Sequence, residues 1–192
     1  MKRAALIPLT FLALCAPAFA SPEPPTFNVL LAGGSASNVI HIWLTPDGRD
    51  YVIDSIVPLE VGGSVCSNPE GNPNELICEA PPIASFEMNA DGGDDAVTVS
   101  GDISIPITMR GGTGNDRLVG GSGPDKLIGG EGKDRLVGRA GADSLYGGPG
   151  QDVLVGGPGD DMLRGGPGRD VLAGGPGTND VSQGNPPHRA KP

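Results

Sequence analysis

Seven aspartates recur at intervals of nine residues: Asp116, Asp125, Asp134, Asp143, Asp152, Asp161 and Asp170. Each closes a glycine-rich stretch, the first being Gly111-Gly112-Thr113-Gly114-Asn115. A carboxylate is a hard oxygen ligand, and glycine lets a turn enter positive φ so that its carbonyls converge on one centre. The units contain neither Cys nor His, so the chemistry of this set is calcium binding by oxygen rather than zinc or copper binding. Stacked at strand spacing, about 5 Å apart, such carboxylates would repel by about 3 kcal/mol per pair at an effective dielectric near 20. Calcium reverses that repulsion, so binding and folding should be one event and the metal structural.

The elements that must position these aspartates repeat in phase with them. Two residues after each comes an apolar side chain: Leu118, Leu127, Leu136, Leu145, Leu154, Leu163 and Leu172. Units begin at Gly111, Gly120, Gly129, Gly138, Gly147, Gly156, Gly165 and Gly174. Two departures stand out: Arg139 replaces the second glycine of its unit, and the last unit reads as one residue longer, putting Asp180 and Val181 one place late. Prolines at the third place (Pro149, Pro158, Pro167, Pro176) lower the entropy lost on ordering the turns. A flexible Gly-rich linker has no reason to hold Asp and Leu in phase. Collagen needs Gly at every third residue, and an EF-hand needs an Asp-x-Asp-x-Asp-Gly run; the repeats have neither.

Residues 111–183 resemble the RTX, or hemolysin-type, calcium-binding nonapeptide repeat, Gly-Gly-x-Gly-x-Asp-x-apolar-x. The resemblance implies an all-β fold, a right-handed parallel β-roll in which each unit is a turn and a short strand and two units make one coil. It implies calcium between stacked turns, held by the sixth-position carboxylate and by turn carbonyls. Carried onto this chain, the ligands are Asp116, Asp125, Asp134, Asp143, Asp152, Asp161, Asp170 and Asp180. Alternate units stack, so Asp116, Asp134, Asp152 and Asp170 form one edge, begun by Asp116, and Asp125, Asp143, Asp161 and Asp180 the other. Three adjacent pairs per edge imply about six Ca2+ ions.

Residues 27–110 are acidic, less repetitive and strand-like, and read as a β-rich cap over the first coil. Val39–Leu44 and Tyr51–Ile53, joined through Pro46-Asp47-Gly48, predict a β-hairpin. Trp43 reads as a hairpin core residue between Ile42 and Leu44, and His41 as facing solvent. Residues 91–99 look like a degenerate unit whose Asp94 and Asp95 read as solvated turn acids, with a further ion as the alternative. Ile103, Ile105 and Ile107 alternate as in a strand.

Residues 1–20 read as a signal peptide: Lys2 and Arg3, an apolar run, then Ala18-Phe19-Ala20, with cleavage between Ala20 and Ser21. Residues 21–26 form a Pro-rich linker, and residues 184–192, which include His188, a disordered tail. The mature chain keeps two cysteines, and an even count in an exported protein favours a Cys66–Cys78 disulfide over two free thiols. The leader points to Sec-type export, to a secreted or extracellular location, with periplasm and cell surface as alternatives, and to no transmembrane segment in the mature chain.

A net charge of −10 argues against nucleic acid and anionic membranes. The sequence has no His-Glu-x-x-His and no Gly-x-Ser-x-Gly, and we assign no catalytic residues. The favoured reading is a non-catalytic secreted calcium-binding protein with a structural or surface-associated role. Two others stay open: a calcium-dependent binding module for a partner protein or glycan, and, with less support, an exported hydrolase. The binding reading rests on an apolar outer strand face (Val119, Val137, Val153, Val155, Val171, Ala173) that the cap or a partner would cover.

Overall fold

A computed structural model describes residues 30–32, 37–46, 50–55, 66–67, 74–79 and 85–184. The leader and its Ala20–Ser21 junction, the linker, the Asp47-Gly48 turn and residues 185–192 lie outside the described residues. Among those described, regular structure is all strand. In the repeats, β9 (Arg117–Val119), β11 (Arg135–Val137), β13 (Val153–Val155) and β15 (Val171–Ala173) stack in parallel in one sheet. β10 (Lys126–Glu131), β12 (Ser144–Tyr146), β14 (Met162–Arg164) and β16 (Asp180–Ser182) stack in the other.

Alternate units therefore pair, as the family resemblance implies. Leu118, Leu136, Leu154 and Leu172 are successive partners in one sheet, and Leu127, Leu145, Leu163 and Val181 in the other. A three-residue strand turns its middle side chain to one face and its outer two to the other. Consequently the leucines meet between the sheets, all fully buried from Leu118 to Leu163, and only Leu172 at the open end is partly exposed. The result is a parallel β-roll.

The N-terminal strands continue both sheets. β7 (Ala96–Val99) pairs parallel with β9 and with β2 (Val39–Leu44), in the order β9-β7-β2. Antiparallel β3 (Asp50–Ser55), β5 (Glu75–Glu79) and β4 (Cys66–Ser67) complete that sheet. On the other side, β8 (Ile107–Thr113), β6 (Phe86–Asn89) and β1 (Leu30–Ala32) extend from β10. One apolar cluster runs from Ile40 to Leu163 without interruption.

Three expectations change. Ile40 and Ile42 point inward, so Trp43 shares the outer face with His41 and is 38% exposed rather than a core residue. The strand at Ile103–Ile107 begins only at Ile107, because Pro106 has no N–H for a ladder bond. The N-terminal strands stand beside the valine face, not over it: Val137, Val153 and Val155 are half-buried and Val171 is exposed, although Val119 is buried.

Candidate metal centre

Each glycine-rich turn packs on the turn of the previous coil at backbone distance. Gly132 has φ +138°, which an L side chain rarely adopts, and faces the Gly114 carbonyl directly. The stacking delivers the aspartates as two ladders. The Asp116 amide donates to Asp134 Oδ1 at 2.9 Å, Asp134 to Asp152 at 3.0 Å and Asp152 to Asp170 at 3.1 Å. On the other edge, the Asp125 amide donates to Asp143 Oδ1 at 2.8 Å and Asp143 to Asp161 at 3.0 Å.

One oxygen of each carboxylate is thus used by the backbone. The other, Oδ2, is buried without a hydrogen-bond partner in Asp116, Asp134, Asp143, Asp152, Asp161 and Asp170. The space above the first glycine of the unit is filled from two sides. Above Gly111 stand Asp116 Oδ2 and, 2.7 Å from where a methyl would lie, the Gly129 carbonyl of the next turn on that edge. Gly129, Gly138, Gly147 and Gly156 repeat the arrangement with the Gly147, Gly156, Gly165 and Gly174 carbonyls. Orphaned carboxylate oxygen and carbonyl oxygen can reach one Ca2+ at its usual distance of about 2.3–2.6 Å. No three His, Cys, Asp or Glu side chains converge among the described residues. An ion here must therefore draw on backbone carbonyls, which suits Ca2+ and not zinc. The donor set fits calcium.

Burial sets the electrostatics. Desolvation pushes Asp134 and Asp143 up to about 6, with neighbouring ladder carboxylates adding to it. Asp116, Asp152 and Asp161 rise for the same first reason.

Asp125 differs. Desolvation pushes it to about 7, but its Oδ2 accepts a hydrogen bond from the Gly121 amide at 2.7 Å. The Arg139 guanidinium reaches back to donate to the Gly120 carbonyl at 2.7 Å and also to the Val99 carbonyl. Arg139, the departure from the glycine pattern, keeps the turn's positive φ (+79°) and lays a permanent cation over the first glycine's carbonyl.

Asp180 requires a correction. The last unit has no extra residue: Asp180 pairs with Met162 in β16, at the seventh place, and Asn179 occupies the sixth. The Asp161 amide donates to Asn179 Oδ1 at 2.9 Å, as to an aspartate elsewhere. Asp180 is exposed on the strand's outer face and pairs with Arg164. Its apparent late position arose from an Asn standing where the phase expects Asp.

Residues 110–145 and 146–181 match the family model for the RTX calcium-binding nonapeptide repeat, each match spanning four copies. This array is of the RTX type. No curated protein and no solved structure matches the chain. The aspartate ladder also extends beyond the matched residues. Asp95 is 2% exposed, not a solvated turn acid, and its amide donates to Asp116 Oδ1 at 2.9 Å. Asp116 therefore does not begin its edge. The step from Asp95 is 21 residues rather than 18, which masked the phase. Asp94 remains exposed and accepts from the Asn115 amide at 2.7 Å.

Proposed function

We propose that this protein is a secreted, non-catalytic calcium-binding protein whose repeats serve a structural or surface-associated role. The observation that carries the reading is the buried, unpartnered Oδ2 of Asp116, Asp134, Asp143, Asp152 and Asp161, each beside the next turn's first carbonyl. When bound, calcium supplies the positive charge that these carboxylates lack. The chain's residues divide the remaining work: Oδ1 holds the backbone ladder, Oδ2 and the glycine carbonyls hold the ion, and the leucines seal the interior.

On this reading Asp116, Asp134 and Asp152 on one edge and Asp143 and Asp161 on the other each serve a full cradle. Above Gly165, at the open end, the three nearest atoms all belong to Asp170 itself. The Asp125 turn takes no calcium, because its Oδ2 already accepts from the Gly121 amide and the Arg139 cation acts on the same carboxylate. The repeats then hold about five ions rather than about six. Arg139→Gly should restore the common turn and add one calcium in native mass spectrometry of the full chain. An unchanged count would show that Arg139 does not stand in for an ion.

Export by residues 1–20, a linker at 21–26, a cap at 27–110 ahead of a calcium roll at 111–183, and a tail at 184–192 belong to the same proposal. So does a Cys66–Cys78 disulfide. The two are directly opposite in the antiparallel β4–β5 ladder, where Cα atoms stand about 4.5 or 5.5 Å apart, within disulfide range. The intact mass of secreted protein tests both. The expected mass is that of a chain starting at Ser21 and lacking two hydrogens; a retained leader or cysteines alkylated without reduction would count against it.

A second reading, a calcium-dependent binding module for a protein or glycan, is favoured by one feature. Trp43, His41, Thr98 and Ser100 line a shallow groove beside the half-buried valine rows, and an exposed tryptophan suits such contacts.

A further inference from the structure

The ladder that begins at Asp170 and runs back through Asp116 and Asp95 ends on a residue from a distant part of the chain. The Asn38 amide donates to Asp95 Oδ1 at 2.6 Å, so Asn38 takes the place of one more rung, 57 residues away. Its side-chain Nδ2 donates to Asp95 Oδ1 at 2.9 Å and to the Ala90 carbonyl at 3.3 Å. That fixes the carboxamide with its oxygen as the unused atom. Asn38 is 1% exposed and Asp95 2% exposed, and both Asn38 Oδ1 and Asp95 Oδ2 are buried with no hydrogen-bond partner. Two buried acceptors without a donor are costly unless a cation or a proton joins them.

We propose that Asn38 and Asp95 hold a further calcium ion, outside the matched repeats, which fastens β2 to the roll. The proposal rests on the reading that the repeat column takes calcium. It is no copy of the repeat cradle, since Ala90 stands where a unit has its first glycine, and at the rung Asn38 offers a carboxamide oxygen where the calcium-cradle units offer a carboxylate. The position explains why it would matter. Asn38 immediately precedes β2 and Asp95 immediately precedes β7, and the two strands pair in parallel. The Ala96 amide donates to the Asn38 carbonyl at 2.8 Å, and the Asp94 amide to Ser37 Oγ at 3.1 Å. An ion at this point would tie together segments 57 residues apart in the sequence. Trp43, the only tryptophan, lies on β2 and reports its docking.

The test compares the full chain with Asn38→Ala, Asp95→Asn and Asn38→Asp, using calcium count by native mass spectrometry, Trp43 emission and far-UV circular dichroism. Asn38→Ala and Asp95→Asn should each bind one ion fewer while the repeats still fold with calcium. Their Trp43 transition should need at least about tenfold more calcium. Asn38→Asp, which adds a charged ligand, should keep the ion and move the Trp43 transition to lower calcium. If Asp95 instead carries a proton shared with Asn38, the ion count will be the same in all four proteins, and Asn38→Asp will weaken β2 docking. That result overturns the proposal and leaves the repeat reading intact. If Asn38→Ala fails to fold, an Asn38→Asp that folds without the extra ion overturns it equally. Should the unmodified chain take up no calcium, the repeat reading itself falls.

Discussion

Removing calcium should unfold the repeats: in chelator near pH 8 the far-UV β signal of the full chain should fall to that of a largely disordered chain. Added calcium should restore it cooperatively, and magnesium poorly, because magnesium demands near-octahedral geometry and keeps its waters. The physical reason lies in what each unit buries. One leucine faces the interior, yet one carboxylate is carried in with it, and in every case but Asp125 its Oδ2 meets no donor. Burial raises Asp134, Asp143 and Asp95 to about 6 and Asp125 to about 7. For an acid whose pKa is higher folded than unfolded, the metal-free fold gains stability from protonation. That gain is complete below the unfolded value of about 3.8 and is lost as pH rises through about 6–7. Protons should therefore partly replace calcium: in chelator, β signal should grow as pH falls from about 8 to about 5. With calcium present, competition by protons should raise the calcium midpoint over the same fall. A chain equally ordered in chelator near pH 8 would sink the metal-dependent account.

Gly132→Ala should destabilise the calcium-bound roll by about 3–5 kcal/mol, as strain in a left-handed conformation adds to overpacking. A methyl on Gly132 would lie 1.6 Å from the Gly114 carbonyl oxygen, and φ is +138°. The obstacle is backbone of the neighbouring turn, so no side chain can rotate out of the way. Gly101→Ala is the control: its nearest neighbour would be the Arg139 guanidinium at 3.8 Å, and it should change stability by less than about 0.5 kcal/mol. Denaturant midpoints at saturating calcium measure both. Similar values for the two variants would mean that the turns do not stack at backbone distance.

Within the roll, nearly everything was legible from residue order. A strand pairs with the strand 18 residues on, so the partner of Leu127 is Leu145, and a fixed period in the sequence is a fixed contact in space. The period puts the aspartates in one phase, and the two-unit coil that the family resemblance implies puts Asp116, Asp134 and Asp152 in one column. Even Asn179 was readable, had the phase been trusted over residue type. Outside the period the signal failed for stated reasons. Asp95 sits 21 residues before its partner, and alternation along β2 does not say which face looks inward, so Trp43 was assigned the wrong one.

The sequence by itself determined the calcium chemistry and the leucine interior, which follow from residue type repeated at one spacing, and, through its family resemblance, the parallel stacking of alternate units. Only the tertiary structure decided where the column ends. Asn38 closes one edge from 57 residues away, and Arg139 bends back over Gly120 on the other. Contacts between residues at unrelated spacings leave no period in a chain. They are set by which donor happens to meet a buried oxygen once the sheets have closed.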